Sequence, residues 1–271
     1  MTTRVLHRSA WTDEVMGTVA SIHLIADAAH TTDPVPNVRA CFDDLHDADR
    51  LFSTYRDDSQ IARLRRGTLR LEDADERVLS VHSACAEAAT STGGLFDAWH
   101  RGWFDPTGYV KGWAAERAAR RALEPLVHLE GEHAVGLSVG GDMQLFTAPG
   151  SDWVWRVGIS DPLNPEQVAA TVEVVDGAVA TSGAAERGAH ILDPRTGSAA
   201  VSVAGATVVA DGLSTADVWA TTAVVAGFDD LSWISAPGIR SGLVISPAGG
   251  IRRWAQGVEI TQWHGSETVA F

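Results

Sequence analysis

"AVGLSVGGDMQLFT", residues 134–147, decides the class of the fold. It is a strand-like, apolar run punctuated by Gly140, Gly141 and Asp142, and it marks where the chain changes character. Downstream, "DWVWRVGISDP", "TVEVVDGAVATS", "VAGATVVA" and "GLVISPAGGIRRWA" continue as short strand-like runs broken by Gly, Pro and Asp. One helical stretch, "LSTADVWATTAVVAG", interrupts them. Upstream, helices dominate. "VPNVRACFDDLHDADRLFS" repeats apolar residues at Val38, Cys41, Phe42, Leu45 and Phe52, with acids on the opposite face. "DADERVLSVHSACAEAATSTGG" places Val78, Leu79, His82, Cys85 and Ala89 along one side and stops at Gly93 and Gly94. A third helix, "YVKGWAAERAARRAL", follows Gly108. Before all of these, "MGTVASIHLIA" alternates after Gly17 as an early strand, with Ala20, Ile22 and Leu24 on one face.

Helices first and strands later, with no regular βαβ repeat, predict an α+β fold rather than a doubly wound sheet. The expectation is mixed helices on a mainly antiparallel sheet, in a single compact unit with two interleaved lobes. No linker or internal repeat cuts the chain, so residues 1–271 read as one domain, helix-rich over 35–125 and strand-rich over 134–271. A net charge of −14 argues against a nucleic-acid or anionic-membrane partner. The basic clusters "RLRRG" (63–67) and "RAARR" (117–121) read as solvated helix faces. Both cysteines, Cys41 and Cys85, fall on apolar helix faces, which predicts reduced structural thiols. No signal-peptide run or membrane-spanning stretch is present in the sequence, so the expected location is cytoplasmic.

Several motifs could carry chemistry. In "HILDPRTG" (190–197), Asp193-Pro194 opens a turn and Thr196-Gly197 closes it; the turn is either plain or presents His190 as a reactive side chain. In "VVADGLSTADVW", Asp211 and Thr215 are four apart and share a helix face. A carboxylate, a hydroxyl and open backbone groups together suit a hard cation such as Mg²⁺, or else Asp211 is an ordinary N-cap. In "FDPTGYVKGWAAER", Asp105-Pro106 starts a turn, Gly108 allows close backbone approach, and Lys111 and Gly112 open a helix, a favourable place for phosphate. The spacing is not that of a P-loop. "SVGGD", ending at Asp142, and "STGGLFDAW", containing Gly94, Leu95 and Phe96, could admit a nucleotide or be plain turns. Tyr55 of "FSTYR" could stack on a flat heterocycle or pack. "HLEGEH" (128–133) reads as a solvated loop, because Gly131 breaks the helix that would align metal ligands.

In chain order, "MGT", "FSTYRDDSQIARL", "TGGLFDA", "DPTGYVKGWAAERAA", "GGD", "ATSGAAERGAHILDPRTG" and "VVADGLSTADVWATT" resemble the FAD:protein FMN transferases, the ApbE-like flavin transferases. The resemblance spans Met16 to about Gly227 and implies Mg²⁺-dependent cleavage of the FAD pyrophosphate. FMN passes through a phosphoester to a Thr or Ser hydroxyl of an acceptor protein, and AMP leaves. It implies that the metal is held by Asp211, Thr215 and the carbonyls of Ser214 and Gly108. The resemblance further implies that Lys111 and Asp105 line the FAD site, with Asp142 and Ser182 in the same site, that Met16 and Tyr55 bracket the flavin, and that Gly94, Leu95 and Phe96 contact the dinucleotide. By the same resemblance His190 would take the proton from the acceptor hydroxyl, a task that suits an imidazole at neutral pH.

The chain departs from the family pattern at Thr107-Gly108, where two small residues usually stand, and in a short segment between Asp97 and Asp105. The implied acceptor carries a Ser/Thr-Gly-Ala-Thr-like site. "AGAT" (204–207) partly resembles it, but Ala204 replaces the hydroxyl residue, which argues against self-modification at Thr207. Two other readings compete: an FAD pyrophosphatase in which water replaces the acceptor, and a non-catalytic FAD-binding protein. Asp211, Thr215, Lys111 and His190 favour an enzyme, since a pure binder has no need of a base beside the diphosphate.

Overall fold

The computed structural model describes residues 5–28, 32–183 and 191–261, and the backbone of 269–270. Its centre is a nine-stranded sheet in the order β1 (Leu6–Val15), β2 (Thr18–Asp27), β3 (Glu132–Val139), β4 (Asp142–Thr147), β7 (Gly177–Gly183), β8 (Gly205–Ala210), β9 (Ile239–Ile245), β10 (Ile251–Ala255) and β11 (Val258–Glu259). Every neighbouring pair in it is antiparallel. A second, three-stranded sheet has the order β12 (Val269–Ala270), β6 (Asn164–Val174) and β5 (Trp155–Asp161). The helices are α1 (Val35–Phe52), α2 (Gln60–Arg65), α3 (Glu76–Ser91), α4 (Thr107–Ala122) and α5 (Leu213–Ala226). The α+β expectation and the mainly antiparallel sheet are both met.

Alternation along the strands sorts the side chains into layers. Ile22, Leu137, Ala178, Ala206 and Val208 face one way, into the core shared with α1, α4 and α5. Leu145, Val179 and Val209 face the other way, against Val157, Ile159, Val172 and Val174 of the small sheet. The central strands are therefore covered on both faces, which is why β8 reads as an apolar run and is buried throughout.

Two tight turns bring distant residues to one end of this sheet. Met16 (φ 55°) and Gly17 (φ 71°) join β1 to β2, while Gly140 (φ 58°) and Gly141 (φ 89°) join β3 to β4. Positive φ at both central residues matches the right-handed twist of the flanking strands. The turns lie side by side: Gly140 N–H donates to the Val19 carbonyl (3.1 Å), and a side chain on Gly140 would lie 2.9 Å from Thr18 Oγ1.

One expectation needs correction, and one strand was not expected. "HLEGEH" is not a solvated loop at its end, because Glu132 and His133 open β3 opposite the end of β2 and are buried. His133 Nε2 there pairs with Asp27 Oδ1 (3.1 Å). The strand β1, whose alternation is largely polar, precedes the first strand read from the sequence and forms the sheet's edge. Cys41 and Cys85 are free and fully buried, and burial pushes both thiols up to about 12, as inert structural cysteines require.

Candidate active site

Lys111, in the second turn of α4, reaches the start of β4 and pairs with Asp142 Oδ2. Asp142 is 1% exposed, and its other oxygen accepts the Thr181 N–H of β7 (2.9 Å). One carboxylate thus orients the lysine and fixes the end of β7, the strand that carries Ser182 and leads into residues 184–190. Asp217 of α5 is also buried, with Oδ2 4.0 Å from Lys111 Nζ. Gly112 makes room for it: a methyl group there would stand 3.0 Å from both Asp217 Oδ2 and the Leu213 carbonyl oxygen. Thr221, one helical turn beyond Asp217, shares a hydrogen bond with Ser182 (Oγ to Oγ1, 3.2 Å). Lys111, Asp142, Ser182, Asp217 and Thr221 therefore meet at the sheet end formed by the Met16-Gly17 and Gly140-Gly141 turns.

The remaining predicted contacts form its rim. Gly108 sits in the first turn of α4, with Phe96 against it; a methyl group on Gly108 would lie 3.3 Å from that ring. Gly94 and Leu95 lead into Phe96, so this stretch lies beside the start of α4. Asp105 is buried, and its Oδ1 accepts from Thr107 N (3.2 Å) and Thr107 Oγ1 (2.7 Å), which shapes the start of α4. Met16 is partly buried in its turn. Tyr55 is 95% exposed. It follows α1, whose last residue, Phe52, packs edge-on to Trp113 of α4 at 5.3 Å.

Asp211 and Thr215 lie elsewhere. They do stand side by side, as their spacing predicts, but against Gly238: a methyl group there would lie 3.5 Å from Thr215 Cγ2 and 4.0 Å from Asp211 Oδ2. Asp211 Oδ1 accepts from Arg240 Nε (2.6 Å), and its carbonyl accepts from Arg120 Nη2 (3.3 Å). Asp211 follows Ala210, the partner of Ala178, whereas Ser182 pairs with Ala206. Asp211 is thus about 15 Å down the β7–β8 ladder from Ser182. The N–H and hydroxyl of Ser214 both donate to Glu116 Oε2. Sequence reasoning passed over Asp217 and Thr221, which repeat the carboxylate–hydroxyl spacing within the same motif. The available signal was burial: a carboxylate in mid-helix, flanked by apolar residues on a helix buried nearly all round, is the anomaly. An aspartate in the preceding turn is ordinary.

His190 lies outside the described residues. The turn after it is described. Asp193 N–H donates to the Ser198 carbonyl (2.8 Å), and Gly197 takes φ 71°. Arg195 binds both oxygens of Asp193 and also donates to the Val225 carbonyl (3.3 Å) near the end of α5. Arg195 holds the Asp193 carboxyl below the usual carboxylate range. The turn is therefore docked one helical turn beyond Thr221.

The donor chemistry around Asp217 suits a hard divalent cation. The Asp217 carboxylate is buried, and the Thr221 hydroxyl one helical turn on adds a second hard oxygen donor. Among the described residues no group of three or more His, Cys, Asp or Glu could hold a metal ion. A cation here would complete its shell with hydroxyl, carbonyl, phosphate or water oxygens, as Mg²⁺ commonly does.

The profile of the ApbE family matches residues 16–102 and 100–240, most of the chain and every element of this site. The chain belongs to the ApbE family. No curated protein sequence matches it. Three solved structures share the ApbE fold along nearly their whole length. The ApbE protein from Thermotoga maritima is 22% identical, with a TM-score of 0.77, covering 91% of this chain and 97% of that one. The flavin transferase ApbE from Vibrio cholerae is 20% identical (TM-score 0.74, covering 93% and 97%). The apo flavinyl transferase ApbE from Pseudomonas stutzeri is 21% identical (TM-score 0.73, covering 94% and 96%).

Proposed function

We propose that this ApbE-family chain is a flavin transferase that cleaves FAD and passes FMN to a Ser or Thr hydroxyl of an acceptor protein, releasing AMP. The observation that carries the reading is the half-buried Lys111 held between the buried carboxylates Asp142 and Asp217 near the start of α4. It offers an anchored cation one turn in from a helix N-terminus, where a diphosphate is favoured.

In this reading Asp142 aims the Lys111 ammonium at a diphosphate oxygen, and Gly108 lets the ligand approach the first turn of α4. Met16 and Tyr55 bracket the flavin ring, while Gly94, Leu95 and Phe96 border the dinucleotide. Asp217 and Thr221, rather than Asp211 and Thr215, would hold Mg²⁺, with the Gly108 carbonyl as a further oxygen donor. Bound there, Mg²⁺ would neutralise charge developing on the phosphoryl oxygens and the leaving group. His190 would take the acceptor's proton, and Arg195 anchors the turn beside it to α5.

The test incubates the protein with FAD and Mg²⁺, with and without an acceptor carrying a Ser/Thr-Gly-Ala-Thr site, and follows AMP and acceptor mass. A mass increase equal to FMN on the acceptor is the expected result. AMP and free FMN without labelling would make the chain a pyrophosphatase, and FAD that co-purifies and stays whole would make it a binding protein. Self-labelling at Thr207 is not expected, because Thr207 is 1% exposed within β8 and its hydroxyl is bonded to Thr181 Oγ1 (2.9 Å).

A further inference from the structure

The helix that carries Asp217 and Thr221 has no cap of its own. Its N-cap is Gly212, and no N-cap side-chain hydrogen bond closes it. Two other elements satisfy its first turn. Leu213 N–H donates to Gln144 Oε1 of β4 (3.0 Å), and the N–H and hydroxyl of Ser214 donate to Glu116 Oε2 of α4 (2.9 and 2.8 Å). On a helix buried nearly all round these N–H groups have little access to water, so such partners are required. A carboxylate at this end also complements the helix dipole.

The fit around Glu116 is close. A methyl group on Gly212 would lie 2.5 Å from Glu116 Oε1, so glycine is what admits the carboxylate. Arg120 Nε holds Glu116 from the other side (3.0 Å). Helices α4 and α5 are thereby joined at two points one turn apart, Glu116 with Ser214 and Gly112 with Asp217. The first is a two-donor clamp, and the second is a close approach that only glycine at 112 allows, since a methyl group there would stand 3.0 Å from Asp217 Oδ2.

We propose that Glu116 is a positioning residue: it clamps the first turn of α5 so that Asp217 stands beside Lys111, and it thereby sets the affinity for the divalent cation. This rests on the reading of Asp217 and Thr221 as the cation's oxygen donors. Glu116 itself touches neither substrate nor ion.

The probe is Mg²⁺ alone, titrated by calorimetry into the folded protein, alongside thermal melting and the Mg²⁺ dependence of AMP release. Glu116→Ala is expected to weaken Mg²⁺ binding by about 10- to 100-fold, the usual effect of losing a group that orients a metal ligand. AMP release should show a raised half-saturating Mg²⁺ with kcat largely restored at high Mg²⁺. Gly212→Ala, which displaces the carboxylate without removing it, should reproduce the defect. Glu116→Gln, which keeps an acceptor oxygen, should recover most of the affinity. If Glu116→Ala does not fold, Glu116→Asp takes its place, since its shorter carboxylate falls back from Ser214. Variants that melt earlier yet bind Mg²⁺ like the wild type would reduce Glu116 to a structural residue. A wild type that transfers FMN but binds no Mg²⁺ would overturn this inference alone. Weakened Mg²⁺ binding in the variants of a protein that never transfers FMN would support it while refuting the transferase reading.

Discussion

At the scale of single residues, the pairs Asp211/Thr215 and Asp217/Thr221 show how one spacing can occur twice in one motif with different surroundings. The first pair is where the chain leaves β8, and Asp211 is spent on an exposed ion pair with Arg240. The second is in mid-helix, with Asp217 buried beside Gly112 and Lys111 and Thr221 bonded to Ser182. Asp217→Ala should lower Mg²⁺-dependent AMP release by about 100-fold or more, the scale of losing a preorganised charge in an active site. Asp211→Ala should keep its activity and cost no more than about 1 kcal/mol by denaturant unfolding, because exposed ion pairs contribute little. The reverse ranking would return the metal to Asp211. The i,i+4 geometry was legible in the sequence, but the tertiary neighbours that separate the two pairs were not. They come from α4, β4 and β7, up to about a hundred residues away.

At the scale of elements, the helices were legible because amphipathic spacing and end signals agreed. In α3 the buried stripe is Val78, Val81, Cys85 and Ala88, rotated slightly from the expected one, so that Leu79 is 39% exposed. Its start is fixed by Asp75, whose Oδ1 accepts the Arg77 N–H (2.9 Å) and whose carboxylate also pairs with the Arg77 guanidinium. Hydrogen bonding from Arg77 holds the Asp75 carboxyl at about 2, below its ordinary 3.8. A depressed carboxyl stabilises the fold fully above its unfolded value, and that contribution disappears as pH falls through the folded one. Asp75→Ala should therefore cost about 1 kcal/mol near neutral pH, as N-cap losses do. The gap between variant and wild type should close between pH 3.8 and about 2, measured by urea unfolding across that range. A gap that persists at the acid end would mean that the side chain acts through packing.

At the scale of the whole molecule, the order of the layers decides what is rigid. β4, β7 and β8 lie between α5 and the small sheet, with apolar cores on both faces. α5 is pinned at its start by Glu116 and Gln144 and along its length by Trp219, which stacks on Trp233 at 5.8 Å; Trp233 in turn meets Trp254 of β10 edge-on at 5.0 Å. The edge strand β1 is different, since most of its residues are exposed or half-buried and, among the described residues, only one side of its ladder is paired. Its polar alternation is also why it was hard to read from the sequence: an edge strand has little to bury. Amide hydrogen exchange should accordingly be slowest in β4, β7, β8 and α5, and faster by orders of magnitude toward the free edges at β1 and β11. The candidate site would then be half rigid and half adaptable. Asp142, Asp217 and Thr221 sit on the slow elements, while Met16 is carried by the turn at the end of β1. Adding FAD should slow exchange mainly around Met16 and the first turn of α4, where protection has room to rise. If FAD instead left the Met16 turn unchanged and altered exchange around Asp211 and Gly238, the ligand would bind at the opposite end of the sheet and the placement of the site would fall.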